Sequence, residues 1–161
     1  MSHPTRILFV CQGNIIRSPL AEHMFNHLAE EAGVADKYKT DSAGTSAYHV
    51  GERPDSRMRQ VAANRGFRYD GRARQFQTTD FDRFDLVIAM DSQNMSILKR
   101  AARSPEEADK LYTMRTFDPD GDTTMGVPDP YYGGINGFEV TYDIVQRSVA
   151  GLLAALENDD L

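Results

Sequence analysis

One short segment near the N-terminus, residues 11–18, combines a thiol, an arginine and a hydroxyl. An apolar run, residues 6–10, precedes it and predicts a buried strand, while Ser18-Pro19 is typical of a helix start. Six residues between a strand and a helix can curl so that successive backbone N–H groups point inward and bind an anion. Gly13 and Asn14 are residue types that tolerate positive φ, which a tight curl requires.

The side chains of this segment predict nucleophilic chemistry on a phosphoryl group. The inward N–H groups, the helix N-terminus and Arg17 all favour the thiolate form of Cys11. Arg17 adds a planar fork that can bind two phosphoryl oxygens, and the Ser18 hydroxyl can donate to the sulfur while its oxygen caps the helix. A thiolate beneath a bound tetrahedral anion is placed for in-line attack on phosphorus. The alternative is an inert, buried thiol at a strand end.

A phosphocysteine route also needs a general acid, and the candidates are carboxylates at loop positions. Asp91 follows a predicted strand, and Asp118 and Asp129 lie in Gly-rich loops. Asp129 is followed by Tyr131 and Tyr132, whose rings could stack on an aryl phosphate. From the residues alone, Asp91 and Asp129 remain equal candidates.

Composition excludes several classes of protein. The chain has 161 residues, a formal net charge of −6 and one cysteine, which excludes an intramolecular disulfide and a Cys-rich zinc site. Acidic character argues against broad nucleic-acid binding, and the short apolar runs and the N-terminus predict neither a membrane span nor a secretory signal. We therefore expect a cytoplasmic protein. An arginine-rich stretch, residues 53–74, and an acidic one, residues 106–143, are either solvated faces or a basic flank beside an anion site.

Alternating strand and helix patterns predict an α/β fold with a parallel sheet in a single domain, residues 1–161. Ligands in such folds bind at the carboxyl ends of the strands, where Cys11 and Asp91 are expected. The other elements follow from apolar periodicity and capping residues. Strands are predicted at residues 84–90, 38–42 and 111–116, and helices at residues 18–33, 55–65, 137–157, after Asp91 or Ser92, and from Ser104.

The segment Val10-Cys-Gln-Gly-Asn-Ile-Ile-Arg-Ser-Pro-Leu-Ala-Glu22 resembles the signature of the low-molecular-weight protein tyrosine phosphatases. Further landmarks of that family occur in the same order, and the resemblance covers nearly the whole chain. These are Asp41-Ser-Ala-Gly-Thr45, Arg74-Gln75, Met90-Asp91 and Val127-Pro-Asp-Pro-Tyr-Tyr132. The resemblance implies a flavodoxin-like three-layer sandwich, with a four-stranded parallel sheet and helices on both faces. It also implies hydrolysis of aryl phosphates without metal or cofactor.

The resemblance assigns roles to individual residues. It implies that Cys11 is the nucleophile, Arg17 the phosphate clamp and Asp129 the acid and then the base. The expected phosphate loop, substrate cleft and supporting residues are Gln12, Gly13, Asn14, Ile15, Ile16, Ser18, Tyr48 and Tyr131, with Ser42 and Tyr132 in support. The implied partners are phosphotyrosine-containing proteins and phosphate-like oxyanions, bound by a chain that is mostly monomeric.

Two departures from the family pattern keep alternatives open. Ile16 stands where many members have a second cysteine, and Gly71 stands where many have a histidine. A binding module that holds phosphorylated partners without turnover is therefore one alternative. A related subgroup that dephosphorylates arginine tends to have Thr where Ile15 stands, which favours phosphotyrosine here. Arsenate reductases share the loop, but their relay needs further cysteines.

Because Ile16 replaces the second cysteine of many family members, recovery from oxidation can be predicted. Cys11 has no neighbouring thiol with which to form a protective disulfide, so peroxide should carry it beyond the reversible states. We expect dithiothreitol to restore little activity after peroxide, in contrast with a family member that has the second cysteine. Near-complete recovery would contradict this prediction.

Overall fold

The computed structural model of the chain describes residues 3–161 and contains a four-stranded parallel sheet in the order β2-β1-β3-β4. The strands are β1 (Thr5–Cys11), β2 (Tyr38–Gly44), β3 (Leu86–Ala89) and β4 (Leu111–Thr113). This order changes direction at β1, and such a point in a parallel sheet opens a crevice at the carboxyl ends of the strands. The predicted flavodoxin-like α/β fold is confirmed.

Helices cover both faces of the sheet, because alternate residues of β1 face opposite sides. Ile7 and Phe9 belong to one apolar core, and Leu8 and Val10 belong to the other. The first core packs under α1, α2 and α6, and the second packs under α3 and α4. The helices are α1 (Arg17–Glu31), α2 (Ser56–Asn64), α3 (Asp80–Arg83), α4 (Ser92–Ala101), α5 (Pro105–Ala108) and α6 (Ile135–Glu157), with 3₁₀ turns at Ala35–Lys37 and Met114–Phe117.

Three helices begin with a side-chain cap, and the caps at Asp91 and Ser104 are among those expected. The side chains of Asp55, Asp91 and Ser104 accept hydrogen bonds from backbone N–H groups in the first turns of α2, α4 and α5, respectively. In α4 the Asp91 Oδ1 atom lies 2.8 Å from the Asn94 nitrogen. Asp91 is therefore a structural cap as well as a residue at a strand end.

The structure corrects the start of α1 and several other boundaries. The helix begins at Arg17 and has no side-chain cap, so Ser18 lies inside its first turn and does not cap it. The hydroxyl of Ser18 bonds to other partners, described below. β3 is shorter than predicted at both ends, and β4 ends at Thr113 because the chain turns into a 3₁₀ helix. α6 begins earlier than expected, at Ile135.

None of the helices among residues 3–161 is long and apolar enough to cross a membrane.

Gly151 in α6 permits the closest contact between that helix and the 3₁₀ turn at Met114–Phe117. A Cβ at position 151 would overlap the Phe117 carbonyl oxygen and lie 3.0 Å from its carbon. Glycine normally weakens a helix interior by about 0.5–1 kcal/mol relative to alanine. Here the close backbone approach outweighs that preference.

We expect Gly151→Ala to lower the free energy of unfolding by about 1–3 kcal/mol, since the helix or the turn must shift to relieve the overlap. Urea denaturation measures the change. Gly137→Ala, in the same helix, is the matched control, because a Cβ there would lie 3.5 Å from the Pro130 Cβ, an ordinary contact. Equal effects of the two substitutions would show that the overlap does not matter.

Candidate active site

The candidate site lies at the carboxyl ends of β1, β2 and β3. Cys11 is the last residue of β1 and pairs with Gly44, the last residue of β2. The backbone N–H groups of Thr45 and Ser46 donate to the carbonyls of Cys11 and Gln12 at 2.9 Å. The loop after Cys11 is therefore attached to the sheet at its first two residues, before it curls towards α1.

The Cys11 thiol lies at the base of this loop and is buried, with 2% of the residue exposed. Its Sγ atom is 3.0 Å from the Ser18 Oγ atom and accepts a hydrogen bond from the Asn14 backbone nitrogen at 3.3 Å. The Asn14 N–H and the Ser18 hydroxyl therefore both contact the sulfur. The predicted contact between Ser18 and the thiol is present, without the helix cap.

Asn14 adopts the left-handed conformation, with a φ of 57°, as its residue type suggested. Its side-chain amide donates to the Ser18 Oγ atom at 2.8 Å and to the Ser42 Oγ atom at 3.0 Å, and its carbonyl accepts from the Arg74 nitrogen at 2.9 Å. The Asn14 side chain therefore connects the loop to α1, to β2 and to the segment after α2.

The expectation that Gly13 also supplies a positive φ is wrong, because Gly13 is not among the residues with positive φ. Space explains the glycine instead. A Cβ at position 13 would lie 2.9 Å from the His49 Cδ2 atom. Gly13 therefore allows His49 to pack against the loop.

Beyond Ser42, the network ends on a buried carboxyl group. Ser42 Oγ donates to Glu22 Oε1 at 2.7 Å, and burial raises the pKa of the Glu22 carboxyl. The His23 Nε2 atom lies 3.7 Å from Glu22 Oε2 and 3.7 Å from where a Cβ of Gly71 would be. An imidazole on α1 thus lies beside the position at which the family pattern has a histidine.

Arg17 is buried and lies between two carboxylates. Its Nη1 atom donates to Asp91 Oδ2 at 2.7 Å and to the Val127 carbonyl at 3.0 Å, and its Nη2 atom is 3.5 Å from Asp129 Oδ2. Burial alone would lower the pKa of Arg17, but the negative charges of Cys11, Asp91 and Asp129 raise it. The guanidinium is therefore held as a cation beside the thiol.

The two carboxylates that the residues alone left equal have different surroundings. Both Asp91 oxygens are in use, since Oδ2 binds Arg17 and Oδ1 caps α4. Asp129 accepts a hydrogen bond from the Tyr131 nitrogen at 3.1 Å, and its side chain is 39% exposed. Asp129 can therefore reach a bound substrate, whereas Asp91 orients Arg17. Asp118 binds Arg115 and Arg147 and does not line the cavity.

These groups line a cavity of about 400 Å³ that opens between aromatic side chains. Tyr48 and Tyr132 are the exposed rim, at 83% and 97%, and Tyr131 is half-buried. The lining residues are Cys11, Gln12, Gly13, Ile15, Ile16, Arg17, Ser46, Tyr48, His49, Asp129, Tyr131 and Tyr132. Asn14, Ser18 and Ser42, expected in the site, lie behind this lining and support it through hydrogen bonds.

The sequence reasoning missed Ser46 and His49. The His49 ring lies between Tyr48 and Tyr131, with centroids 4.7 and 5.8 Å away, and its Nδ1 atom is 2.8 Å from Glu52 Oε2. The signal that could have indicated it is its position beside Tyr48, in the loop that leaves the carboxyl end of β2.

Four of the seven arginines in the stretch 53–74 form ion pairs, and none of the seven lines the cavity. Arg53 pairs with Asp70, Arg57 with Asp55, Arg65 with Glu139 and Asp143, and Arg74 with Asp41 and Asp80. Within residues 3–161, no group of three or more His, Cys, Asp or Glu side chains is arranged to hold a metal ion.

The chain matches the model of one protein family over nearly its whole length. The profile of the low molecular weight phosphotyrosine protein phosphatases matches residues 6–161. The chain belongs to this family. The matched residues include the loop after Cys11, α1, the segment that contains Asp129, and α6. The match confirms the resemblance that the motifs indicated.

Similar proteins of this family occur in distant organisms. The chain is 45% identical to a low molecular weight protein-tyrosine-phosphatase of Streptomyces coelicolor, over 94% of this chain and 93% of that protein. It is 38% identical to the low molecular weight phosphotyrosine protein phosphatase of Rattus norvegicus, over 91% and 92%. A crystal structure of the Entamoeba histolytica protein tyrosine phosphatase, with Hepes in its active site, superposes with a TM-score of 0.92 at 39% identity, over 98% and 99% of the two chains.

Gly44 tests whether loop geometry controls oxyanion binding. A Cβ at position 44 would lie 2.7 Å from the Gln12 carbonyl oxygen and 3.2 Å from the Asn14 nitrogen, so the loop must shift. We expect Gly44→Ala to weaken phosphate binding about tenfold, which corresponds to about 1.4 kcal/mol. Isothermal titration with phosphate measures it.

Gly133→Ala is the matched control for that substitution. Gly133 follows Tyr132, which lines the same cavity, and a Cβ at position 133 would meet only the Pro130 carbonyl oxygen, at 3.5 Å. Unchanged phosphate affinity in a folded Gly44→Ala protein would contradict the idea that this close approach shapes the loop.

Proposed function

We propose that this chain hydrolyses phosphotyrosine in proteins through a phosphocysteine intermediate. The observation that carries the proposal is the position of the Cys11 sulfur. It lies at the base of the loop, in contact with the Ser18 hydroxyl and the Asn14 N–H, and Arg17 and Asp129 line the same cavity. A phosphoryl group in the loop would therefore meet a nucleophile, a cation and an acid together.

The first step transfers the phosphoryl group to sulfur. The Cys11 thiolate attacks phosphorus, the S–P bond forms, and the bond from phosphorus to the tyrosine oxygen breaks. Asp129 donates its proton to that oxygen, so tyrosine leaves as the neutral phenol. Its partial exposure and its hydrogen bond from the Tyr131 nitrogen support this role.

The second step releases phosphate. Asp129, now a carboxylate, accepts a proton from a water molecule as that water attacks phosphorus. The S–P bond breaks, inorganic phosphate leaves and Cys11 is again a thiolate. The hydrogen bonds from Ser18 and Asn14 stabilise the departing thiolate in this step, as they stabilise the attacking thiolate in the first.

Arg17 and the loop amides would stabilise the charge on the transferring group. The planar guanidinium can bind two equatorial oxygens, and its buried position fixes its direction. Asp91 holds one end of the guanidinium at 2.7 Å, so the Arg17 side chain is already ordered before a substrate binds. Substrate binding then costs less conformational entropy. We therefore assign Asp91 a positioning role.

The aromatic walls favour an aryl phosphate as the substrate. Tyr48, His49 and Tyr131 border the cavity, so a phenyl ring could pack between them while its phosphate reaches Cys11. Ile15 and Ile16, at 7% and 3% exposure, add apolar surface beside the loop. This lining favours phosphotyrosine over phosphoarginine, whose charged guanidinium would lose hydration against it.

The setting of the reaction is part of the same proposal. The nucleophile must remain a reduced thiol, which the cytoplasm maintains, and every group that the mechanism uses comes from one chain. We therefore propose cytoplasmic action as a monomer, without metal or cofactor.

The second candidate function, capture of phosphoproteins without turnover, is motivated by Ile16 and Gly71, and a turnover assay distinguishes it.

Two substitutions test the mechanism with para-nitrophenyl phosphate and phenyl phosphate in EDTA. Cys11→Ser should reduce turnover to background and still bind phosphate, since the loop amides and Arg17 remain. Asp129→Ala should slow phenyl phosphate far more than para-nitrophenyl phosphate, because the poorer leaving group needs the proton most. We expect a difference of about 10²-fold or more between the two substrates.

Asp91→Asn is the matched control for the acid. It should slow both substrates to the same extent, since it alters Arg17 and transfers no proton. Equal slowing of both substrates by Asp129→Ala would reject Asp129 as the acid. Phosphate binding by the parent protein without any turnover would instead support the binding-module alternative.

A further inference from the structure

A second cavity, of about 550 Å³, adjoins the catalytic one. The two cavities share Gln12 and Ser46, so only these side chains separate them. The second cavity extends from Thr45 along one face of α4. Ser92, Ser96 and Arg100 follow each other at intervals of four residues, which places them on that face.

The second cavity carries charge of one sign only, which is positive. Apart from Arg100 and the apolar Ile97 its lining is polar and uncharged, and no carboxylate lines it in the part of the chain that the structure describes. Arg100 is exposed and forms no ion pair with a residue in 3–161, whereas Arg103, one turn later, binds Asp82 and Glu107. The guanidinium of Arg100 is therefore available to an anion.

The first turn of α4 adds an unsatisfied polar group. Asn94 lines the cavity with 2% of the residue exposed, and its side-chain oxygen has no hydrogen-bond partner. Buried amides nearly always have partners, so one without is a feature that needs a ligand or water. The nearest carboxylate, Asp91, does not compete for this space, because it binds Arg17 and the Asn94 nitrogen.

We infer that this second cavity is a substrate subsite that binds an acidic side chain flanking the phosphotyrosine. The inference rests on the proposed function. Arg100 would bind the carboxylate, while the exposed Ser92 and Ser96 offer hydrogen bonds to the peptide that leads there. The cavity follows α4 from Ser92 to Arg100, which are about 12 Å apart along the helix. An extended peptide covers that distance in about four residues, so the acid would lie a few residues from the phosphotyrosine.

The test uses phosphotyrosine peptides in which one Asp is moved through the four flanking positions on each side, with Asn in the matched peptides. The parent should show a kcat/KM several-fold higher for Asp than for Asn at one position, and the preference should shrink as salt is added. Arg100→Gln should abolish that preference, and Arg100→Glu should reverse it in favour of Lys. A phosphoserine peptide distinguishes a second phosphate from a carboxylate as the preferred anion.

Lys99→Gln is the matched control. It removes one positive charge from the neighbouring position of the same helix, and Lys99 does not line the cavity, so the preference should survive. Para-nitrophenyl phosphate is too small to reach Arg100, and its turnover should be the same in the parent and all these variants.

Three results overturn the inference, and they can be distinguished from one another. If the parent hydrolyses para-nitrophenyl phosphate and neutral phosphotyrosine peptides but Arg100→Gln keeps any Asp preference, the subsite is wrong and the proposed function stands. If Lys99→Gln removes the preference as well, the effect is general electrostatics rather than a subsite. If the parent hydrolyses neither substrate, the proposed function fails and the subsite fails with it.

Discussion

The site depends on one backbone conformation, the left-handed turn at Asn14. An L-residue in that region costs about 1–2 kcal/mol, yet the loop cannot curl around an anion without it. Three hydrogen bonds of the Asn14 side chain offset the cost, at about 1 kcal/mol each. Because one of them ends on Ser18, the interaction that holds the curl also orients the hydroxyl that faces the sulfur. Backbone shape and nucleophile geometry are therefore coupled.

The sheet supplies the fixed frame on which this turn is built. The parallel register of β1 and β2 places Gly44 beside Cys11, and the absence of a side chain at Gly44 lets the loop backbone approach to within van der Waals contact. The Gly44 nitrogen bonds to the Arg74 carbonyl at 2.8 Å, while the Arg74 nitrogen bonds to Asn14. The loop is thus held from behind by a third segment, which brings no charged group into the cavity. Contacts that involve the main chain therefore hold the loop in its curled shape.

Local patterns predicted most of the fold, and motif resemblance predicted most of the site. Apolar runs and capping residues identified the strands and helices, since these signals act over a few residues. Ser18 was misplaced as a cap because a serine before proline has the right type for that role, and only the tertiary bonds to Cys11 and Asn14 show that its hydroxyl is used elsewhere. His49 and Ser46 were missed for a related reason. Nothing in their spacing predicts chemistry, and the fold of the loop after β2 alone brings them to the cavity.

Charge balance connects the geometry of the site to the proposed reaction. One buried cation, Arg17, lies near three groups that carry negative charge when ionised, namely Cys11, Asp91 and Asp129. A phosphate monoester dianion entering this space would be repelled by all three and attracted by Arg17, so the position of the guanidinium decides where the anion can bind. Asp129 is the more exposed carboxylate and lies at the longer distance, 3.5 Å, from the guanidinium. The two carboxylates therefore differ in what holds them, since both oxygens of Asp91 are bonded and the Asp129 carboxylate is open to the cavity. The proposed division of roles follows from this difference: the bonded carboxylate positions the cation, and the exposed one faces the substrate.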